Sequence, residues 1–262
     1  MTYTTENPDQ DLPAPVVAAL ENATVAELLN RVRTRTSISY AVSDGTTWAS
    51  ATQLDQTTIW HVPSKRPAEA MAHELLHAEP KLDGYRQYLN SVAKAPCEQP
   101  RLVSKLLRIL DNELQHHKMA PRFQQLGFDI TFFYEDGDKH AFKKVRRALE
   151  KMGPNNATTA EFFTQFVTMI AQGGAAGEIE RTQIKNYFNI RAGKKIAERM
   201  SQIEGIFTEW RNTQSLDAGP FIQAILELMA LKCSYWFGAS TGFPGDGFFV
   251  GESFEVNEAQ QI

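Results

Sequence analysis

Two histidines and a glutamate in the segment AMAHELLHAEP, residues 70–80, have the spacing of a metal-binding helical turn. Consecutive residues of an α-helix are roughly 100° apart, so His73 and His77 project from the same face, one turn apart. Two such imidazoles can bind one Zn²⁺ at about 2.0–2.1 Å, and Glu74 beside them can take a proton from a water on that ion. The segment therefore predicts a zinc centre with His73 and His77 as ligands and Glu74 as general base.

A catalytic zinc centre normally takes three protein ligands and keeps one position for water, so a third ligand is needed. The segment LVSKLLRILDNELQHHKM, residues 102–119, has an apolar stripe of helical period, and Glu113 lies on or beside that stripe. A carboxylate that faces a core is costly unless it is paired or bound to a metal. Glu113 is therefore the predicted third ligand. The alternatives in the same helix are Asp111, His116 and His117, and His117 can also orient a ligand from behind.

With these residues in place, the chain resembles a zincin metallopeptidase of the gluzincin type, in which HExxH on one helix is completed by a glutamate from a second. The thermolysin-like branch has Asn-Glu-x-x-x-Asp as its second motif. Here NELQH has Asn112 and Glu113 in place, with His117 at the position of the aspartate. The interval between His77 and Glu113, residues 78–112, is longer than in thermolysin and leaves room for an extra helix. A short sheet before an HExxH helix is also similar to small intracellular zincins associated with phage and stress regulation. The resemblance covers about residues 37–120.

The resemblance implies a hydrolase that cleaves peptide bonds with a metal-activated water, Glu74 taking the proton and passing it to the leaving amine. A strand over residues 57–62 is expected to hold an extended peptide by edge pairing, with either Trp60 or His61 facing the cleft. Candidates for the group that stabilises the oxyanion are Tyr85, Tyr88, Tyr134 and His140. The alternative function is a non-catalytic zincin-like domain that binds metal or a regulatory protein partner, which a closed site with four protein ligands would favour.

The elements that must position these residues indicate an α+β fold that is mainly helical. Residues 13–33 predict one or two helices with a break near Asn22, and two or three short strands follow up to residue 62 around the turn signal SDGT. The HELLH helix is expected to begin near Ser64 and to end before Pro80. Further helices are predicted over residues 82–93, 100–119, 139–152, 159–171, 179–187, 192–212 and 218–237. The tail over residues 238–254, rich in glycine and phenylalanine, has neither a helical nor a strand period.

These elements suggest three regions along the chain. Residues 1–36 are a helical segment, residues 37–120 are the zincin-like metal-binding core, and residues 121–262 are a helical region that completes the cleft, possibly within the same domain.

Composition restricts the classes of partner. Of 262 residues, 42% are hydrophobic and 22% charged, and the net charge of −4 gives no reason to expect nucleic acid or an acidic membrane. No run of 18 apolar residues and no secretory signal is present, so a cytoplasmic protein acting on a peptide or protein is expected. The basic segments at 143–151 and 191–195 are interpreted as solvated helix faces. Cys97 and Cys233 lack metal-ligand spacing and are expected to be reduced thiols.

Overall fold

The computed structural model describes residues 12–53, 55–97, 100–133, 178–229 and 233–261, together with residues 147 and 167. Its internal contacts divide the chain into two compact units. Unit 1 contains residues 1–84, 118–140 and 173–177, and unit 2 contains residues 85–117, 141–172 and 178–262. The described residues combine seven α-helices with two small sheets, which confirms a mixed and mainly helical α+β fold. The helices predicted over residues 139–152 and 159–171, and the basic segment at 143–151, lie almost entirely outside the described residues.

Unit 1 begins with two short helices, α1 (Ala14–Leu20) and α2 (Ala23–Arg33), separated at the predicted break. The Asn22 side chain caps α2, because its Oδ1 accepts hydrogen bonds from the backbone N–H groups of Thr24 and Val25 at 3.0 and 3.3 Å. The apolar residues of α2 follow the spacing of one helix face and are buried: Val25, Leu28, Leu29 and Val32.

Three strands form the sheet of unit 1: β1 (Ser37–Val42), β2 (Ala49–Gln53) and β3 (Gln56–His61). Their order is β1-β3-β2, with β1 parallel and β2 antiparallel to β3. The prediction that the last strand offers a free edge to a peptide is therefore wrong. The β2–β3 hairpin occupies one edge of β3 and β1 pairs with the other, so the outer strand of the hairpin is β2.

The HELLH segment lies on α3 (Pro67–Leu82), which continues through Pro80 rather than ending before it. A proline removes only its own N–H from the helix, and the following turn still closes, since the Asp83 N–H bonds to the Glu79 carbonyl at 3.0 Å. An ion pair of 2.7 Å between Arg31 of α2 and Glu79 also holds this last turn. The helix is buried without interruption from Ala70 to Ala78, so it is the central helix of unit 1.

The long helix α4 (Pro100–Gln125) extends six residues past its predicted end and includes Pro121. Its last turns belong to the core of unit 1, where Met119 and Phe123 pack in the same apolar cluster as Met71 and Leu75 of α3. This burial explains the longer helix, because ending it at Met119 would remove Phe123 from the core. A short 3-10 helix, Ile130–Phe132, follows and places Phe133 in the same cluster.

Three helices of unit 2 follow α4: α5 (Glu178–Ala192), α6 (Lys194–Asn212) and α7 (Gly219–Leu228). Gly193, with φ of +79°, separates α5 from α6, a backbone angle that favours glycine. The apolar core contains Leu107, Leu110 and Leu114 of α4 together with Ile203, Phe207 and Ile222 of the later helices. None of the helices in the described ranges is both long enough and apolar enough to cross a bilayer.

A second sheet, which the sequence analysis did not predict, lies in unit 2. It has the order β6-β5-β4-β7 and is antiparallel throughout. Its strands are β4 (Asn90–Lys94), β5 (Tyr235–Gly238), β6 (Gly247–Val250) and β7 (Ala259–Gln261). The helix predicted over residues 82–93 and the end of that predicted over 218–237 are therefore wrong. All four residues of β5 are buried, so no alternation marks the strand in the sequence.

The two cysteines are free thiols close to this sheet, Cys97 after β4 and Cys233 before β5. The Cys233 Sγ–H donates to the Lys94 carbonyl at 2.6 Å. Burial, with smaller contributions from the charge and hydrogen bond of Cys97, raises the pKa of Cys233 to about 11. A thiol with this pKa stays protonated at neutral pH and is a poor nucleophile.

Gly247 is required by close packing at the start of β6. A Cβ at this position would collide with the Phe237 carbonyl and the Trp236 indole. We therefore expect Gly247→Ala to lower the free energy of unfolding by about 1–3 kcal/mol, because backbone or a buried ring must move. The matched control is Gly205→Ala in α6, where an added Cβ meets nothing within 4 Å. This substitution should raise the free energy of unfolding by up to about 1 kcal/mol, because alanine has the higher helix propensity. Urea denaturation of both variants checks the opposite signs, and equal effects would contradict the packing in β5 and β6.

Candidate metal centre

The imidazoles of the HELLH turn converge on each other. His73 Nε2 and His77 Nε2 are 3.1 Å apart, and the ring centroids are separated by 4.9 Å. Two nitrogen ligands at about 2.0–2.1 Å in a tetrahedral site would be separated by about 3.3 Å. The rotamers thus bring two ring nitrogens nearly to the separation that a shared zinc ion requires, which fits the predicted pair of ligands.

The HELLH turn is buried, so its polar side chains need further interactions to offset the free energy of desolvation. Only 9% of His73, 6% of Glu74 and 8% of His77 is exposed. Burying titratable side chains costs free energy unless hydrogen bonds, ion pairs or a metal compensate it. A cation bound at these three residues would therefore interact strongly with the Glu74 carboxylate, because little water screens its charge.

Two neighbours of the turn belong to unit 1 and had no signal in the sequence. The Phe133 ring packs on His73 with 4.6 Å between ring centroids. The Ser50 hydroxyl of β2 donates to the Glu74 carbonyl at 3.2 Å, which places the outer strand of the β2–β3 hairpin directly beside the site. Both contacts depend on tertiary packing, so motif spacing alone would not reveal them.

The predicted third ligand, Glu113, forms a compact polar group with two neighbours on α4. His116 Nδ1 lies 3.2 Å from Glu113 Oε2, and the Asn112 amide lies 3.5 Å from Glu113 Oε1. The Asn112 amide nitrogen is also 3.3 Å from His116 Nε2 and can only donate to it. His116 thus lies between the Glu113 carboxylate and the Asn112 side chain. A carboxylate beside one ring nitrogen is an arrangement that commonly orients a metal-bound histidine.

His73 and His77 lie on α3 in unit 1, whereas Glu113 and His116 lie on the part of α4 that belongs to unit 2. His116 was one of the alternatives that the sequence left open. The assignment of Glu113 as a direct ligand stays a prediction.

The other two alternatives have defined roles within unit 2. The Asp111 carboxylate accepts hydrogen bonds of 3.1 Å from the Tyr85 hydroxyl, the Tyr88 backbone N–H and the Gln115 amide. The ring of His117 packs on Phe207 with 4.6 Å between centroids. Asp111 thus joins the loop before β4 to α4.

Two of the four candidate oxyanion donors, Tyr85 and Tyr88, donate hydrogen bonds to carboxylates. Tyr85 donates to Asp111, and Tyr88 Oη donates to Asp217 Oδ1 at 2.9 Å. Burial and the charge of Asp111 raise the pKa of Tyr85 well above its usual value. Burial, then the hydrogen bond to Asp217, raises the pKa of Tyr88 to about 12. Tyr134 and His140 lie outside the described residues. Whether any of the four stabilises an oxyanion stays a prediction.

On β3, alternation separates the two residues that were considered for the cleft. His61 is buried, with its ring 6.0 Å from that of Trp48, whereas Trp60 is half-buried. Burial lowers the pKa of His61, so its neutral form is favoured.

Comparisons with protein-family models, with curated proteins and with solved structures found no match for this chain. Its site is therefore interpreted from its own residues.

The pKa of Tyr88 gives a test of the packing around Asp217. Below pH 10 the hydroxyl is protonated in both states. Between about pH 10 and pH 12 the unfolded chain, with the ordinary value of 10.0, loses the proton first, so the free energy of unfolding falls. The Tyr88→Phe variant has no hydroxyl to titrate at this position, so its free energy of unfolding lacks this fall between pH 10 and pH 12. The variant should be less stable than wild type by about 1 kcal/mol at pH 8, and the difference should shrink above pH 10.

Urea denaturation from pH 8 to 11.5 measures this difference, and Tyr187→Phe, which changes an exposed tyrosine on α5, is the control. A constant difference between wild type and Tyr88→Phe over the whole range would contradict the raised pKa.

Proposed function

We propose that the protein is a zinc-dependent metallopeptidase of the zincin kind. The observation that carries the proposal is the 3.1 Å approach of His73 Nε2 and His77 Nε2 beside the buried Glu74. A single helical turn thus presents two imidazoles and one carboxylate, the combination that zinc peptide hydrolysis uses.

We place His116 in the third ligand position, with Glu113 behind it as the carboxylate that fixes its orientation. The 3.2 Å separation of His116 Nδ1 and Glu113 Oε2 supports this arrangement, because a carboxylate commonly orients a metal-bound imidazole through its other ring nitrogen. A direct bond from Glu113, as the sequence predicts, is the alternative. The two arrangements differ in what the loss of each side chain does to metal affinity, because an orienting partner typically contributes about 10–100-fold and a ligand more.

Bound zinc would supply Lewis acidity, which lowers the pKa of a water molecule toward neutrality and polarises a carbonyl group. The Glu74 carboxylate takes up the proton of the attacking water at one of its oxygens and later gives it to the leaving amine. Burial of Glu74 limits exchange of that proton with bulk water. His73 and His77 are held by α3, which is packed on all sides and keeps them fixed during the reaction.

For the peptide, we propose the outer edge of β2 in place of β3. Among the described residues, β3 is the only strand that pairs with β2, so the other side of β2 has backbone groups available to an added strand. The hydrogen bond from Ser50 to the Glu74 carbonyl fixes β2 next to the HELLH turn. A peptide bound along this edge would run past Glu74.

The first test is Glu74→Gln. The amide keeps the size of the side chain but cannot serve as base, so hydrolysis should fall by about 10²–10⁴-fold while zinc content is unchanged. Zinc by mass spectrometry, and cleavage of fluorescein-labelled casein and of a quenched fluorescent peptide library, are the measurements. Glu69→Gln, on the same helix but paired with Arg66 near its start, is the control and should retain activity.

Full activity in Glu74→Gln would contradict the proposed base. Wild-type protein that binds zinc but cleaves no member of the library would favour the non-catalytic metal-binding function instead.

The second test separates the ligand arrangements by zinc affinity in His73→Ala, His116→Ala and Glu113→Gln. Loss of a ligand should abolish stoichiometric zinc in the two histidine variants. Glu113→Gln should retain zinc with about 10–100-fold weaker affinity, because only the orienting bond is lost. Competition with a chromophoric chelator measures each constant, and His61→Ala is the control. Stoichiometric zinc in His116→Ala together with none in Glu113→Gln would overturn our assignment in favour of Glu113.

A further inference from the structure

One exposed face of α4 carries three cations in a row. Arg101, Lys105 and Arg108 follow one another at intervals of four and three residues, which places them within a narrow stripe along the helix. Asn112 continues the same stripe at the next interval of four. We refer to Arg101, Lys105 and Arg108 as the basic stripe.

The basic stripe lines an open pocket on this face of α4. The pocket has a volume of about 490 Å³, and its polar lining in the described part of the chain consists of Arg101, Ser104, Lys105, Arg108, Asn112 and Glu113. Glu113 is the only carboxylate in this lining, and it bonds to His116 and Asn112. The pocket therefore has three positive charges against one negative charge that is already engaged.

No acidic partner in the described part of the chain explains the basic stripe as a stabilising feature. Within the described ranges, no acidic side chain forms an ion pair with Arg101, Lys105 or Arg108. Like charges at intervals of three and four residues destabilise a helix. The start of α4 contains Arg101, and its first turn has no acidic residue. A positive charge at this end of a helix interacts unfavourably with the helix dipole. The cations thus reduce the stability of α4, and a bound anion would offset the repulsion between them.

We infer that this pocket binds acidic side chains of the peptide substrate. The inference deepens the proposed function and rests on it, because Glu113 lines the pocket and also lies 3.2 Å from His116, the proposed zinc ligand. No aromatic side chain lines the described part of the pocket and the protein carries a net charge of −4, so a nucleic acid is a poorer fit than an acidic peptide.

The spacing of the basic stripe defines where the acidic residues should lie. At a rise of about 1.5 Å per residue, Arg108, Lys105 and Arg101 lie roughly 7, 12 and 18 Å along the helix from Glu113. An extended peptide advances about 3.3 Å per residue. Acidic residues about one to two positions apart in an extended peptide would therefore match the spacing of the three cations.

The test measures binding separately from cleavage. A fluorescein-labelled peptide with four glutamates within eight residues, and the same peptide with glutamines, are titrated by fluorescence anisotropy into zinc-loaded Glu74→Gln. This background removes the proposed base, so the peptides remain intact. The glutamate peptide should bind at least roughly tenfold more tightly at low salt, and the preference should decrease as salt screens the charges.

Two charge-reversal variants in the same background have equal net charge and distinguish a local from a global effect. Lys105→Glu with Arg108→Glu changes the basic stripe, whereas Lys194→Glu with Lys195→Glu changes exposed lysines at the start of α6. Only the first pair should abolish the preference for glutamate. Lys105→Gln with Arg108→Gln, which introduces no new repulsion, should reduce it and serves as a second variant if the reversed pair folds poorly by circular dichroism.

Equal loss of preference in both charge-reversed pairs, or no preference in the parent protein, would overturn the inference. Tighter binding of a single-stranded oligonucleotide of equal charge, or complete competition by millimolar inorganic phosphate, would also overturn it in favour of a general anion site. Selective binding of the acidic peptide by a protein that cleaves nothing would retain the pocket assignment and reject the peptidase function, so the two failures are distinguishable.

Discussion

Burial of a polar helical turn is the constraint on which the remainder of this structure depends. Nine consecutive residues of α3, Ala70–Ala78, are buried, and three of them are His73, Glu74 and His77. Removing such groups from water costs several kcal/mol per charged side chain unless partners restore the lost interactions. The elements around α3 can therefore be understood by what they provide to it: apolar packing from α1, α2, β3 and α4, and polar contacts where the histidines and the glutamate emerge.

The helix α4 shows how one element meets opposite requirements along its length. Its leucines at 107, 110 and 114 enter the core of unit 2, and Met119 and Phe123 enter the core of unit 1. Asn112, Glu113 and His116 lie off the leucine stripe and bond to one another. The outer face carries Arg101, Lys105 and Arg108, which form no ion pair with any acidic side chain that the structure describes. A helix with this distribution is stabilised almost entirely by tertiary burial, since its own charges oppose it.

The polar residues of unit 2 also illustrate how a buried carboxylate is stabilised without a metal. Asp111 accepts hydrogen bonds from a hydroxyl, a backbone N–H and an amide, so its lone pairs are well occupied. Glu113, only two residues further along α4, lies beside the His116 imidazole and the Asn112 amide. We interpret Asp111 as a structural residue and propose that Glu113 orients His116.

The sequence alone determined the local features, because they depend on residues close in the chain. It predicted the break at Asn22, the helix that carries HELLH, the placement of His73 and His77 on one face, and a second helix with Glu113 and His117 one turn apart. Each follows from helical period or from a capping side chain. The sequence favoured Glu113 as third ligand, with Asp111, His116 and His117 as alternatives, and that choice stays a prediction.

Tertiary structure decided whatever depends on distant partners. Residues 82–93 and the YWFG segment have helical patterns, yet β4 and β5 pair with each other across more than 140 positions, and long-range pairing has no local signal. The central place of β3 in its sheet depends on its pairing with both β1 and β2, so these two are the edge strands among the described residues. Helix ends behaved likewise: α3 and α4 pass through Pro80 and Pro121, because burial of the residues beyond each proline outweighs the one backbone hydrogen bond that it removes.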